Sequence, residues 1–130
     1  MATVLLTSNY RPEYRRAGIL AHEAKAGTVM VFSYQPRHIA PDVSLCVGDE
    51  VSICMQVVDA PDDIYQVQTA NIIGLTYDKD RLFITLKMLS EHPMPSVDEL
   101  ADDEDRRFAI DGRGYVVFDH TMTYNRHIHG

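Results

Sequence analysis

The sequence predicts a mainly β domain: a small, strongly bent barrel extended by an extra strand or hairpin and followed by one C-terminal helix. Three observations carry that prediction. Val51, Ile53, Met55 and Val57 alternate with Ser52, Cys54 and Gln56, the period-two pattern of a strand with one buried and one wet face. Val43, Leu45 and Val47 alternate in the same way ahead of Gly48-Asp49, so two half-buried segments meet at a glycine-containing corner. Leu82, Ile84, Leu86 and Met88 repeat the alternation after the hairpin signal Tyr77-Asp78-Lys79-Asp80-Arg81.

Taken in order, Met1 to Arg16 forms a lead-in arm. Its apolar piece Val4–Leu6 is followed by the turn signal Ser8-Asn9-Tyr10-Arg11-Pro12. Residues 17–89 make the barrel with its extra strand. Ala17–Leu20 is expected as the first strand and Gly27–Tyr34 as the second. Gln35–Asp42, with a proline near each end, is a loop, and so is the acidic Ala60-Pro61-Asp62-Asp63. Ile64–Thr76 is the closing strand. Residues 90–130 supply a helix, a last strand over Gly114–Asp119 and a histidine-containing tail. The helix begins at a capping box, Ser96-Val97-Asp98-Glu99, and is expected to run to about Phe108 with Val97, Leu100, Ala101 and Phe108 inward.

At 130 residues, the chain is large enough for one core and too small for two independent ones. No apolar run approaches the roughly 20 residues that span a bilayer, and Met1–Leu6 lacks the basic start and long apolar core of a secretory signal, so the expected compartment is the cytoplasm, the nucleus included. Cys46 and Cys54 lie in alternating segments and read as small sheet or core residues, not as a disulfide or zinc pair. The formal net charge of -7 opposes generic binding of a polyanion. Its distribution is uneven, however: Arg11, Arg15, Arg16, Lys25 and Arg37 outnumber the acids of the first third.

Three segments read together resemble the second half of a cold-shock domain, a five-stranded barrel of the OB type. They are Val29-Met30-Val31-Phe32-Ser33-Tyr34, Leu45-Cys46-Val47-Gly48-Asp49-Glu50-Val51-Ser52-Ile53 and Gln68-Thr69-Ala70-Asn71-Ile72. The resemblance spans roughly Ala17 to Leu75 and lacks the aromatic K-G-F-G-F strand of that family, because Gly18 to Val31 contains no aromatic residue. In this it is closer to the divergent cold-shock domains of multi-domain translational regulators. The resemblance implies binding of single-stranded nucleic acid, RNA before DNA, with aromatic rings stacking on bases.

Met30, Phe32 and Tyr34 share one strand face; pattern alone allows that face to point either way, and the resemblance implies partial exposure. Phe32 and Tyr34 are therefore the expected stackers. Tyr10 and Tyr14 are secondary ones, interleaved with Arg11, Arg15 and Arg16 as in single-strand recognition, where guanidinium groups meet phosphate. Lys25, Arg37 and His38 complete the expected nucleic-acid set. The alternative partner is a protein, held by a barrel edge or by the acidic helix. Asp119, His120, His127 and His129 offer metal-ligand types without visible preorganisation, so no metal and no cofactor is expected. No nucleophile elbow, zinc-protease or phosphate-loop motif occurs, and no catalytic role is expected. Oligomeric state is left open by the sequence.

Overall fold

The computed structural model describes residues 3–7, 12–34, 44–79, 81–90, 96–109, 115–117 and 123–124. The order of elements is β1 (Thr3–Thr7), α1 (Pro12–Glu23), β2 (Val29–Tyr34), β3 (Glu50–Val57), β4 (Ala60–Asp78) and β5 (Arg81–Met88). After these come α2 (Val97–Asp102), a 3-10 turn (Glu104–Arg106), β6 (Arg107–Ala109), β7 (Tyr115–Val117) and β8 (Thr123–Tyr124). The fold is mainly β. All strands belong to one sheet in the order β7-β1-β3-β4-β5-β2-β8, with β6 paired to β4 off that path. The described strands leave this sheet open; β7 and β8 at its two ends are not paired, so the expected closed barrel is not what they form.

β4 sets the shape. Its 19 residues would extend about 60 Å if straight, whereas a globule of this length is about 36 Å across, so the strand has to bend. Register shifts between Ile53 and Cys54 on β3 and between Ile72 and Gly74 on β4 supply the bends. The N-terminal half of β4 pairs with β3, the C-terminal half with β5, and the two partners overlap only around Ala70 and Asn71. β1 runs parallel to β3 and to β7. α1 packs on β1, β3, β4 and β8; it touches strands from both ends of the path, so the sheet curls around it.

The core fills the inside of that curl. Val51, Ile53, Met55 and Val57 are buried as their alternation predicts, as are Leu82, Ile84, Leu86 and Met88. Cys54 departs from its expected wet-face position and is buried, although Val51, Ile53, Met55 and Val57 keep their alternation; on the facing strand Ile53 meets Gln68 and Cys54 meets Gln66, with Val67 as the extra residue between them. Cys46 is exposed, and both thiols are free.

A buried glutamine ties the layers together. Gln68 Nε2 donates to the carbonyls of Ala21, in the last turn of α1, and Ala24, just beyond it, at 3.1 and 3.2 Å; the Ala21 carbonyl also accepts from the Ala24 amide at 3.3 Å. Its Oε1 accepts from the amides of Thr69 and Ser90 at 3.0 and 3.1 Å. One side chain thus binds the helix end, the middle of β4 and the exit of β5. Beside it, buried His22 donates from Nδ1 to the carbonyl of the bulged Val67 at 3.2 Å.

Four sequence expectations are corrected. The described part of the half-buried segment expected ahead of Gly48-Asp49 is no strand: Leu45 is half-buried, but Val47, expected on the same face, is 61% exposed in a turn, and Val43 lies outside the described residues. Ala17–Leu20 belongs to α1, not to a first strand, with Gly18, Ala21 and His22 buried at helical spacing. Pro12 opens that helix, where its missing amide hydrogen costs nothing. Ala60–Asp63 begins β4 instead of forming a loop. The C-terminal helix has the predicted capping box, with Ser96 Oγ accepting from the Glu99 amide and Glu99 accepting from the Ser96 amide, but it ends at Asp102. Asp103 adopts an extended backbone and caps the following 3-10 turn by accepting from the Asp105 amide, which redirects Phe108 into β6. No helix among the described residues is long and apolar enough to cross a membrane.

Candidate functional site

The position of Phe32 and Tyr34 follows from register. Phe32 lies opposite Ile84 and Tyr34 opposite Leu82, and directly opposed residues of paired strands share a face. Since Leu82, Ile84, Leu86 and Met88 supply the apolar face that must leave water, Met30, Phe32 and Tyr34 go in with them. Phe32 and Tyr34 are both 0% exposed. The expected stacking platform is therefore core, and burial pushes the Tyr34 phenol well above its ordinary range.

The basic residues expected to meet phosphate are dispersed. Arg15 is committed to Asp98 at 2.7 Å, a salt bridge that joins α1 to the first turn of α2. The bridge lies near the buried Tyr65, whose hydroxyl donates to Met55 Sδ at 3.7 Å. Burial pushes the Tyr65 phenol up to about 12; the Arg15 charge lowers it and the Asp98 charge raises it, each by less than burial does. Arg16 and Lys25 are exposed. Tyr14 falls within α1. Tyr10, Arg11, Arg37 and His38 lie outside the described residues, as do Asp119, His120, His127 and His129. Arg106 and Arg107, at the far end of the chain, also hold carboxylates, those of Asp103 and Asp63. Among the described residues no group of three or more histidines, cysteines and carboxylates is placed to hold a metal ion.

The feature the sequence reading missed is a stretch of strand edge. β3 covers one side of β4 as far as Asn71, opposite Glu50, and the cover finishes with Ile72, whose amide donates to Asp49 and whose carbonyl accepts from Gly48. From Gly74 to Asp78, β4 is bonded to β5 on its other side. Among the described residues no strand pairs with Ile73–Asp78 on the side that β3 has left. Ile73 is 44% exposed, Tyr77 71% and Val47, in the adjoining turn, 61%. Leu75 is half-buried and Thr76 exposed. The signal for this edge was Ile72-Ile73-Gly74, where two adjacent isoleucines and a glycine interrupt a period-two run, a mark of a bulge.

The turn beside it is firmly built. Asp49 N donates to the Cys46 carbonyl at 3.1 Å, Asp49 Oδ2 accepts from the Cys46 amide at 3.0 Å, and Gly48 sits at φ +98°, which glycine alone adopts without cost. Comparison of the chain with protein-family models, curated proteins and solved structures finds no match.

Proposed function

We propose that the chain is a non-catalytic protein-interaction module built on a curled, OB-like sheet, and that it holds its partner along the uncovered edge of β4. The observation that carries this reading is a reversal of exposure. The aromatics needed for base stacking, Phe32 and Tyr34, are interior, while Ile73 and Tyr77 stand exposed on a strand edge that no described strand pairs. Extended partners commonly add to such an edge, gaining affinity from main-chain hydrogen bonds and selectivity from alternate side chains. The net charge of -7 and the commitment of Arg15 to Asp98 weigh on the same side. Of the segments that carry the cold-shock resemblance, Val29–Tyr34 and Gln68–Ile72 are strands of this sheet, and of Leu45–Ile53 only Glu50–Ile53 is, Leu45–Asp49 being the turn ahead of it.

Single-stranded RNA or DNA binding is the second reading, favoured by exposed Arg16 on α1 and exposed Lys25 just beyond it. A fluorescence titration of mixed-sequence single-stranded RNA at two salt concentrations separates the two. The interaction reading expects no saturable binding at low salt. Saturable binding with a log–log salt slope of about -0.7 per phosphate contact, flattened by Arg16→Ala with Lys25→Ala, would establish the nucleic-acid reading in its place.

A further inference from the structure

Resting on the interaction reading, we infer that the partner at the β4 edge is a second copy of this chain, paired antiparallel about a two-fold axis at Thr76. The uncovered stretch Ile73–Asp78 matches a common strand length of about 5–6 residues. Exposed edges are usually guarded by lysine, proline, inward charge or a bulge; here the bulge at Ile72–Gly74 and exposed Asp78 stand at the two ends, and Leu75-Thr76-Tyr77 between them carries no charge and no proline in a chain that is 24% charged. An edge whose centre is left unguarded in this way is consistent with one that is covered in use.

The sequence of the edge suits itself. In an antiparallel pair, opposed residues must both turn their backbone groups toward the junction or both away, so a symmetric pairing centres on a residue facing its own copy. Centred on Thr76, it sets Leu75 against Tyr77 of the second copy and Tyr77 against Leu75. These are two aliphatic–aromatic cross-strand pairs, with Thr76 against Thr76 between them on the other face. Gly74 then faces Asp78, the last residue of β4, and Lys79, in the turn that follows at φ +58°, lies just beyond the ladder near Ile73 of the second copy. The pairing stops where β3 resumes cover at Ile72, so the second copy's strand continues the line of β3 without displacing it.

Charge agrees with this register. Lys79, exposed at the hairpin tip, arrives beside the start of the other copy's β3, where Asp49 and exposed Glu50 stand. The symmetry repeats this contact at both ends of the uncharged centre Leu75-Thr76-Tyr77, with exposed Asp78 beside Lys79 as the one opposing charge within the paired stretch. An extended heterologous peptide would meet the same edge but would not be required to match this register.

Sedimentation velocity of the full chain across a wide micromolar range is the test. The wild type is expected to show a concentration-dependent doubling of mass. Thr76→Lys, at an exposed position, sets like charges against each other at the axis and is expected to give monomer with an unchanged circular dichroism spectrum. Lys79→Glu is expected to weaken the dimer, and adding Glu50→Lys in the same chain to restore it. A wild type that stays monomeric overturns self-pairing, as does a dimer indifferent to both Thr76→Lys and Lys79→Glu. Monomer with slowly exchanging Leu75 and Tyr77 amides overturns it too, by showing that the chain covers its own edge. The first two results leave the interaction reading standing, whereas slow exchange at Leu75 and Tyr77 removes the free edge and that reading with it, as a saturating RNA titration would.

Discussion

Gln68 and Ala21 are 47 residues apart in sequence, and Gln68 Nε2 donates to the Ala21 carbonyl at 3.1 Å. Through this bond and three others, one buried amide side chain fixes α1 against the middle of the sheet. Gln68→Ala removes this partner from the Ala21 and Ala24 carbonyls and the Thr69 and Ser90 amides; the Ala21 carbonyl keeps its bond from the Ala24 amide, and each of the three part-buried groups left behind costs up to about 1–3 kcal/mol. Water entering the vacated space recovers part of this, so a net loss of about 3 kcal/mol is expected in urea melts. Gln68→Glu is expected to be at least as damaging at neutral pH, since a carboxylate cannot donate to either carbonyl, and to recover partly in acid as it gains a proton. A Gln68→Ala loss below about 1 kcal/mol would mean that α1 is held by its apolar face alone.

The facing of β3 gives a second test. Ile53→Asp drives an unpaired charge into the core and is expected to abolish cooperative folding, at a cost of several kcal/mol. Ser52 is half-buried and accepts from Gln66 Nε2 at 3.3 Å, so Ser52→Asp keeps an acceptor there and is expected to be tolerated. Thermal melts in which Ser52→Asp is the more damaging change would invert the strand.

Two buried phenols make stability fall in alkali. In the unfolded chain both titrate near pH 10. In the folded chain burial pushes Tyr65 up to about 12 and raises Tyr34 well above its ordinary value. Above pH 10 the unfolded chain gives up protons that the folded chain keeps, so the stabilisation is complete below that pH and is lost progressively toward pH 12. Urea midpoints across this range, read with phenolate absorbance, are expected to drop steeply, and Tyr65→Phe is expected to make the drop shallower. Stability that is flat from pH 10 to 12 would show that Tyr65 ionises in place.

The strands with unbroken alternation were legible: Val51 to Val57 and Leu82 to Met88 put their apolar faces where period two required. So was the capping box at Ser96. What was hidden depended on partners distant in sequence. Nothing local chooses which face of Val29–Tyr34 goes inward; the choice comes from Phe32 meeting Ile84 and Tyr34 meeting Leu82 on β5. The register shift that leaves Val67 as an extra residue on β4 is set by how β3 and β4 meet, not by either segment alone. α1 was misread because Gly18-Ile19-Leu20 looks like a short apolar strand, although Pro12 at a helix start and the spacing of Gly18, Ala21 and His22 point the other way. The candidate edge was equally hidden, for it exists only because β3 stops pairing at Asn71 while β4 continues to Asp78.

The central claim is that the aromatic ring once expected in solvent is core and that the exposed one lies on the β4 edge. Urea unfolding of Phe32→Ala beside Tyr77→Ala tests it most directly. Phe32→Ala is expected to cost about 3–5 kcal/mol, the loss from emptying a packed aromatic site, and Tyr77→Ala to change stability by no more than about 0.5 kcal/mol at concentrations where the chain is monomeric. A small loss at Phe32 with a large one at Tyr77 would contradict the account, returning Phe32 to the surface and removing the free edge.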